Sequence, residues 1–276
     1  MNRALPVPPA VASFRTLHES GCFVLPNPWD VGTAKVLAQL GFRALATTSA
    51  GFAFSRGLPD TITAVPRDVM LAHVREIVTA TPLPVNADYQ AGYAREPEGV
   101  AASVAECVRT GVAGLSIEDA TGDASAPLFE LRLAVERIRA ARAAIDATGV
   151  PVVLTARCEA WLVGDPDPLR TARERLVAFA EAGADCLYAP GVRDAGAIAA
   201  LVAAVAPKPI NVLVSAPGPT LARLAELGVR RVSLGSALSR VAWGAFLRAA
   251  RGISESGSFE VLAGAASFTE LNDLFA

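Results

Sequence analysis

The stretch AQLGFRAL, residues 38–45, returns in altered letters as VRTGVAGL (108–115), AEAGADCL (180–187) and AELGVRRV (225–232). Each copy ends an amphipathic run, turns on a glycine and continues as a short apolar run. A glycine at that point suits the left-handed residue that closes a helix, and the apolar run beyond it suits a buried strand. Gly149 marks a fifth such junction. The repeated unit is helix, glycine, strand.

Working outward from these junctions, eight apolar runs read as strands: CFVLPNPW (22–29), RALATTSA (43–50), LPVNADY (83–89), GLSIED (114–119), VPVVLTARCEA (150–160), DCLYAPG (185–191), PINVLVSA (209–216) and RRVSLGSAL (230–238). Between them PRDVMLAHVREIVTAT, EPEGVAASVAECVRTG, LAVERIRAARAAIDATG and DPLRTARERLVAFAEAG carry apolar residues at three- and four-residue spacing, the helical period. Eight strand–helix units in a chain of this length predict an α/β fold, a closed (β/α)8 TIM barrel. An open, doubly wound sheet would ask for a GxGxxG turn after the first strand, and PNPWDVGTA does not supply one. No linker divides the chain, so one domain is expected over 1–276, with a Pro-rich arm at 1–12 and a helical appendage at 257–276.

Composition narrows the class. Of 276 residues, 52% are hydrophobic, enough for a large core, and 25 Lys+Arg against 27 Asp+Glu leave the chain near neutrality. No basic stripe with interleaved aromatics suggests nucleic acid as a partner. No apolar run of membrane-spanning length and no signal-peptide pattern are seen, which predicts a cytoplasmic protein that needs no membrane. Cys22, Cys107, Cys158 and Cys186 lie far apart, and the only histidines are His18 and His73, so a zinc site is not expected. The cysteines read as core residues, Cys158 pointing out of the barrel, and His73 as a helix-packing residue.

In such barrels the chemistry sits at the C-terminal ends of the strands. Asn86 and Asp88 stand two apart at the end of the third strand, hence on one face. Burying an isolated Asp there would be costly, so a cation, a hydrogen-bond network or water should compensate it. Glu118 ends the fourth strand, Arg157 and Glu159 the fifth, Asn211 opens the seventh, and Asp60 follows the second in a loop. Asp60, Asp88, Glu118 and Glu159 should converge on one mouth around Arg157. Hard oxygen ligands without imidazole or thiolate suit Mg²⁺ or Mn²⁺. Blander roles compete: Asp30 as an N-cap, Asp119 as a solvated acid, Asp60 as a turn residue, and Glu159 as a partner of Arg157 or Lys35.

These motifs together resemble the isocitrate lyase/phosphoenolpyruvate mutase superfamily. The likeness runs from NPWDVGTAKVLAQLGFRALATTSAGFAFSRGLPD (27–60) through the Ala87-Asp88-x-x-x-Gly92-Tyr93 segment, SIED (116–119) and TAR (155–157) to the helix after the last strand. The resemblance implies a barrel with a C-terminal helix exchanged between subunits of a homodimer or homotetramer, a bound Mg²⁺, and 2-oxo acids handled through an enolate-like species. It assigns Asp88, Asn86, Glu118 and Asp60 to the metal's surroundings. Arg157 is assigned to the substrate carboxylate, Thr48, Ser49 and Ala50 to a backbone cradle for substrate oxygens, and Asn211 to a polar contact. Asp60, Glu118 and Arg157 are the catalytic candidates. The Cys-bearing loop of isocitrate and methylisocitrate lyases is replaced by DATGDASAPLFE (119–130), without Cys or His, so isocitrate-type cleavage is not implied. The expected activity is a Mg²⁺-dependent lyase or decarboxylase acting on a small 2-oxo or 2-hydroxy di- or tricarboxylic acid, as in C–C cleavage of oxaloacetate. The alternatives are a phosphonopyruvate-type P–C hydrolase or mutase, with Arg56, Arg193 or Arg240 reaching in, and a non-catalytic 2-oxo acid binder.

Overall fold

A computed structural model describes residues 7–276. The eight strands are β1 (Phe23–Leu25), β2 (Leu45–Ala46), β3 (Val85–Asp88), β4 (Gly114–Glu118), β5 (Val153–Arg157), β6 (Cys186–Tyr188), β7 (Ile210–Leu213) and β8 (Arg231–Ser233). They form one parallel sheet in the order β1-β8-β7-β6-β5-β4-β3-β2. The seam between β1 and β2 is closed just beyond β1, where the Ala46 N–H donates to the Pro26 carbonyl at 3.0 Å. Asn27 reinforces it: its amide donates to the Thr47 carbonyl, and its oxygen accepts the N–H groups of Leu234 and Gly235. The strands are short, but all lie within the expected runs, and the sheet is the anticipated (β/α)8 barrel.

The helices are α1 (Pro9–Leu17), α2 (Val31–Gln39), α3 (Ser49–Ser55), α4 (Arg67–Ala80), α5 (Pro97–Val108), α6 (Leu131–Ala147), α7 (Pro168–Glu181), α8 (Ala195–Val205), α9 (Leu221–Glu226), α10 (Ala237–Ser256) and α11 (Phe268–Phe275). The junction glycines behave as read: Gly183 has φ 103° and Gly228 φ 86°, and a Cβ at either would press within 2.8 Å of Arg142 or Val202. Only glycine combines that backbone with that closeness. Asp30 caps α2, accepting the Thr33 N–H at 2.7 Å. Among the described residues no helix is long and apolar enough to cross a membrane.

The N-terminal arm needs correction. Residues 1–6 lie outside the described residues, but Pro9 already opens a helix whose Val11 and Phe14 are buried. Phe14 meets Phe23 edge-on at 6.3 Å and lies so close to Gly114 that a Cβ there would come within 2.5 Å of its ring. Residues 9–17 thus form a helical plug packed against the floor of the barrel. Proline at the first helical position explains the start: it lacks the N–H that would be unsatisfied there anyway.

At the other end, α10 runs 20 residues yet buries only Ser239. Val241, Trp243, Phe246 and Leu247 stand exposed along it. The tail turns back through 260–264 to α11, which leans on α2: Gln39 donates to the Leu274 carbonyl at 2.7 Å, and the Phe275 ring approaches Gly32.

His73 on α4 packs as expected, stacked on Phe52 at 3.8 Å, with Nε2 buried and unpartnered. Burial is the main reason its pKa falls from 6.5 to about 4. A base that resists protonation in the folded state stabilises the fold above pH 6.5, and that contribution is lost as pH falls towards 4. His73→Phe should therefore flatten the acid-side decline of the unfolding midpoint relative to wild type over that window. Parallel slopes in a pH series of thermal melts would contradict this.

Candidate active site

A cavity of about 800 Å³ opens at the C-terminal ends of the strands. Its wall contains Thr48, Ser49, Ala50, Asp60, Asn86, Asp88, Glu118, Arg157 and Asn211, as expected, but not Arg56, Arg193 or Arg240, the arginines considered for a phosphonyl group. Strand alternation accounts for this, since Asn86 and Asp88, Ser116 and Glu118, and Arg157 all fall on the inward parity.

At the centre lies Arg157. Its Nη1 meets Asp88 Oδ1 at 2.8 Å, its Nη2 meets Glu118 Oε2 at 3.1 Å, and its Nε meets Glu159 Oε1 at 2.9 Å. The guanidinium also lies 5.1 Å from the centre of the Tyr188 ring. Each of its three nitrogens is committed to a carboxylate, and two of its five N–H groups are left for a ligand. Burial opposes the charged form, but Glu159, Glu118 and Asp88 together hold the Arg157 pKa well above its ordinary value.

Asp88 is held from the other side as well. Its Oδ2 accepts the Ser49 N–H and the Ser49 hydroxyl, both at 2.9 Å, and its own N–H donates to Thr47 Oγ1. The N-terminus of α3 therefore grips the carboxylate, spending the Ser49 amide of the expected cradle. Asp60 and Glu159 also line the cavity near Arg157, and Asp123 lines it from the loop after β4, five carboxylates in all. Burial, with Asp88 next, raises the Asp60 pKa; burial outweighs Arg157 and raises Glu118.

Backbone strain lies just behind. Gln90 and Tyr93 adopt φ of 45° and 58°, the left-handed region, at roughly 1–3 kcal/mol each for a non-glycine residue. Two restraints hold this turn. The Gln90 carbonyl accepts the Glu118 N–H at 3.0 Å, and buried Arg137 donates to the carbonyls of Ala91, Ala94 and Arg95. The turn thereby sets the level at which Glu118 leaves its strand.

Several readings change on contact with the geometry. Asp119 is not solvated. It is 2% exposed, accepting the Glu159 N–H at 2.8 Å and pairing with Arg175 at 3.1 Å, and burial lifts its pKa to about 6. Glu159 pairs with Arg157, not with Lys35. Asn86 turns its amide to the Ala87 carbonyl and leaves its oxygen buried beside Gly114, without a partner among the described residues. Asn211 is the second residue of β7, deep in the barrel, donating to Ser233 and accepting from Arg231. Cys158 is buried and lines no part of the cavity. Tyr188, Ser233 and Arg231, which do line it, were not picked out from the sequence. Tyr188 could have been found, because it stands in register with both Arg157 and Asn211.

Comparison with known proteins agrees with this architecture. The family model for phosphoenolpyruvate phosphomutase matches residues 14–254. A solved structure from Burkholderia cenocepacia J2315, described as a lyase/mutase, is 48% identical with a TM-score of 0.93, covering 98% of this chain and 96% of its own. Oxaloacetate decarboxylase of Chromohalobacter salexigens is 32% identical over 234 residues, 80% of this chain and 77% of that protein. Oxaloacetate acetylhydrolase, solved with its product oxalate, is 28% identical with a TM-score of 0.85 over 98% of this chain and 95% of that one. The chain belongs to the phosphoenolpyruvate phosphomutase family, and it is an enzyme of the phosphoenolpyruvate mutase/isocitrate lyase superfamily of lyases and mutases.

Proposed function

We propose that the enzyme is a divalent-metal-assisted lyase or decarboxylase acting on a small 2-oxo or 2-hydroxy dicarboxylic acid, with oxaloacetate-type C–C cleavage as its nearest model reaction. The observation that carries this reading is the cluster around Arg157: one guanidinium shared by Asp88, Glu118 and Glu159, with Asp60 lining the same cavity, all hard oxygen donors. Such a site asks for further positive charge, and Mg²⁺ or Mn²⁺ fits a donor set without imidazole or thiolate. Among the described residues no three acidic, His or Cys side chains already converge as a closed ion cage. Mg²⁺ is usually held by one or two carboxylates, with waters and substrate oxygens completing its shell. Asp88, Glu118 and Asp60 would hold it directly or through water, with Asn86 beneath them. When bound, such an ion acts as a Lewis acid towards a 2-oxo group.

The chain's own residues supply the rest. Arg157 keeps Asp88, Glu118 and Glu159 at fixed separations and offers its two remaining N–H groups to a substrate carboxylate. The Ala50 amide at the start of α3 is available to an oxygen that gains charge in the transition state. In decarboxylation of oxaloacetate the C3–C4 bond breaks, its electron pair forms the enolate of pyruvate, and CO₂ leaves without needing a base. A proton must then reach C3. The Tyr188 hydroxyl stays protonated, its pKa pushed up to about 12 mainly by burial, and Tyr188 lines the cavity. The loop at 119–130 need not provide a thiol. Two relatives carry oxaloacetate in their names, which favours this substrate.

A second reading, P–C bond cleavage or rearrangement of a phosphonopyruvate-like acid, has the family model's name behind it. The exposed face of α10 further supports a homodimer or homotetramer in which a neighbouring chain covers Val241 and Phe246, by exchange of the C-terminal helix.

Pyruvate should appear from oxaloacetate with added Mg²⁺ and stop with EDTA, and Asp88→Ala should cut kcat/KM on the order of 100-fold. Metal-independent turnover, or phosphate release from phosphonopyruvate in place of pyruvate formation, would overturn the first reading. Light scattering should give the mass of two or four chains, and Val241→Glu with Phe246→Glu should lower it; a monomeric wild type would remove the assembly from the account.

A further inference from the structure

Two guanidinium groups line the cavity, Arg157 and Arg231. Their electrostatic situations are opposite. Arg157 touches three carboxylates. Arg231, 2% exposed, has only neutral acceptors among the described residues: Asn211 Oδ1 at 2.9 Å, Thr155 Oγ1 at 3.0 Å and His18 Nε2 at 3.2 Å. His18 is itself arranged to accept. Its Nδ1 is 2.7 Å from the Phe14 carbonyl and must carry the ring proton, which leaves Nε2 bare. Burial and the neighbouring Arg231 push its pKa down to about 3, so the ring stays neutral.

A buried cation without an anion carries a desolvation cost that hydrogen bonds to neutral groups only partly offset. The fold has another buried arginine with neutral acceptors, Arg137, but that one clasps three backbone carbonyls behind the wall and does not line the cavity. Arg231 does line it, spends three of its five N–H groups on the protein, and has Asn211, Ser233 and Tyr188 as fellow lining residues. An acidic ligand entering a cavity rich in carboxylates is repelled at most positions, and of the two cations only Arg231 has not been neutralised by the protein.

We propose that Arg231 is the floor anchor for a second oxyanion group of the substrate, a carboxylate or a phosphonyl, and so selects diacids over monoacids. This rests on the reading of the cavity as an acid-binding site, but it concerns binding, not turnover.

The test uses succinate, butanoate and 3-phosphonopropanoate as probes, titrated calorimetrically into the full-length enzyme. Succinate and butanoate differ by one carboxylate in place of a methyl group. Wild type should bind succinate at least about ten-fold more tightly than butanoate, and Arg231→Gln should bring that ratio close to one without changing butanoate affinity. Arg231→Lys is the second variant. It keeps the charge but loses the planar fork, so it should lower the ratio part of the way without changing butanoate affinity; a purely structural Arg231 would leave the ratio unmoved. If Arg231→Gln does not fold, Arg231→Lys alone decides. An unchanged succinate-to-butanoate ratio in the folded variants overturns the proposal, as does a wild type that does not distinguish the two acids. Tighter binding of 3-phosphonopropanoate than of succinate, with the same sensitivity to Arg231, would identify a phosphonyl as the anchored group; the reverse order would identify a carboxylate. No added metal or turnover is needed, so an enzyme inactive on oxaloacetate could still show the anchor, and an active one could lack it.

Discussion

The contact between Arg157 and three carboxylates ties the catalytic end of the barrel together. Asp88 ends β3, Glu118 ends β4, Arg157 ends β5 and Glu159 follows it two residues later. One planar group spans these strand tips, so their relative heights are set by guanidinium geometry as well as by the ladder. The arrangement is strained electrostatically, with too much acid for one base, and a structure organised only for stability would have less reason to gather it. The surrounding restraints all serve to keep the acids in place. Ser49 holds Asp88, the left-handed turn at Gln90 receives the Glu118 amide, and Asp119, anchored by Arg175, receives the Glu159 amide.

Charge in the barrel is layered. Acid gathers at the mouth, while Arg231, Asn211, Thr155 and His18 form a neutral-to-positive layer closer to the N-terminal plug. A small diacid has the complementary requirement, a polarised 2-oxo acid end and a second acidic end some distance away. A cation near the upper carboxylates and an unneutralised guanidinium below would meet both ends. The low effective dielectric between the layers makes this separation matter more than it would in water.

Much of this was legible in the sequence. The helix-glycine-strand junctions specify the repeat, because a left-handed residue after a helix admits few alternatives, and eight repeats leave little but a barrel. Inward strand ends followed from alternation once Asn86 and Asp88 were paired. What failed to show depends on distance in space. Arg230 and Arg231 are neighbours in RRV, yet Arg230 reaches out to the Gly21 carbonyl while Arg231 spans the barrel interior to Thr155. Strand parity decides between them, and a one-residue uncertainty in where β8 begins reverses it. Asp119 looked solvated because its partner Arg175 lies 56 residues away on α7. Ser49 and Ala50, which read as the end of the second apolar run, instead open α3, where Thr48 caps the helix by accepting the Gly51 N–H.

The loop after β4 bears most on the chemistry. In DATGDASAPLFE the chain bonds to itself: the Thr121 N–H donates to the Pro127 carbonyl, the Thr121 hydroxyl to the Ala126 carbonyl, and the Phe129 N–H returns to the Asp119 carbonyl. Arg175 closes the base, reaching both Asp119 and the Phe129 carbonyl. A loop bound at both ends and across its middle is a wall more than a reagent, and the residues it turns to the cavity, among them Ala120, Gly122 and Ala124, carry no thiol or imidazole. Its one ionisable group on the cavity is Asp123, whose Oδ1 is taken up by the Ser125 N–H and hydroxyl. Under the reading proposed above, loss of CO₂ from a 2-oxo diacid asks least of such a loop, because it needs an electron sink and no base.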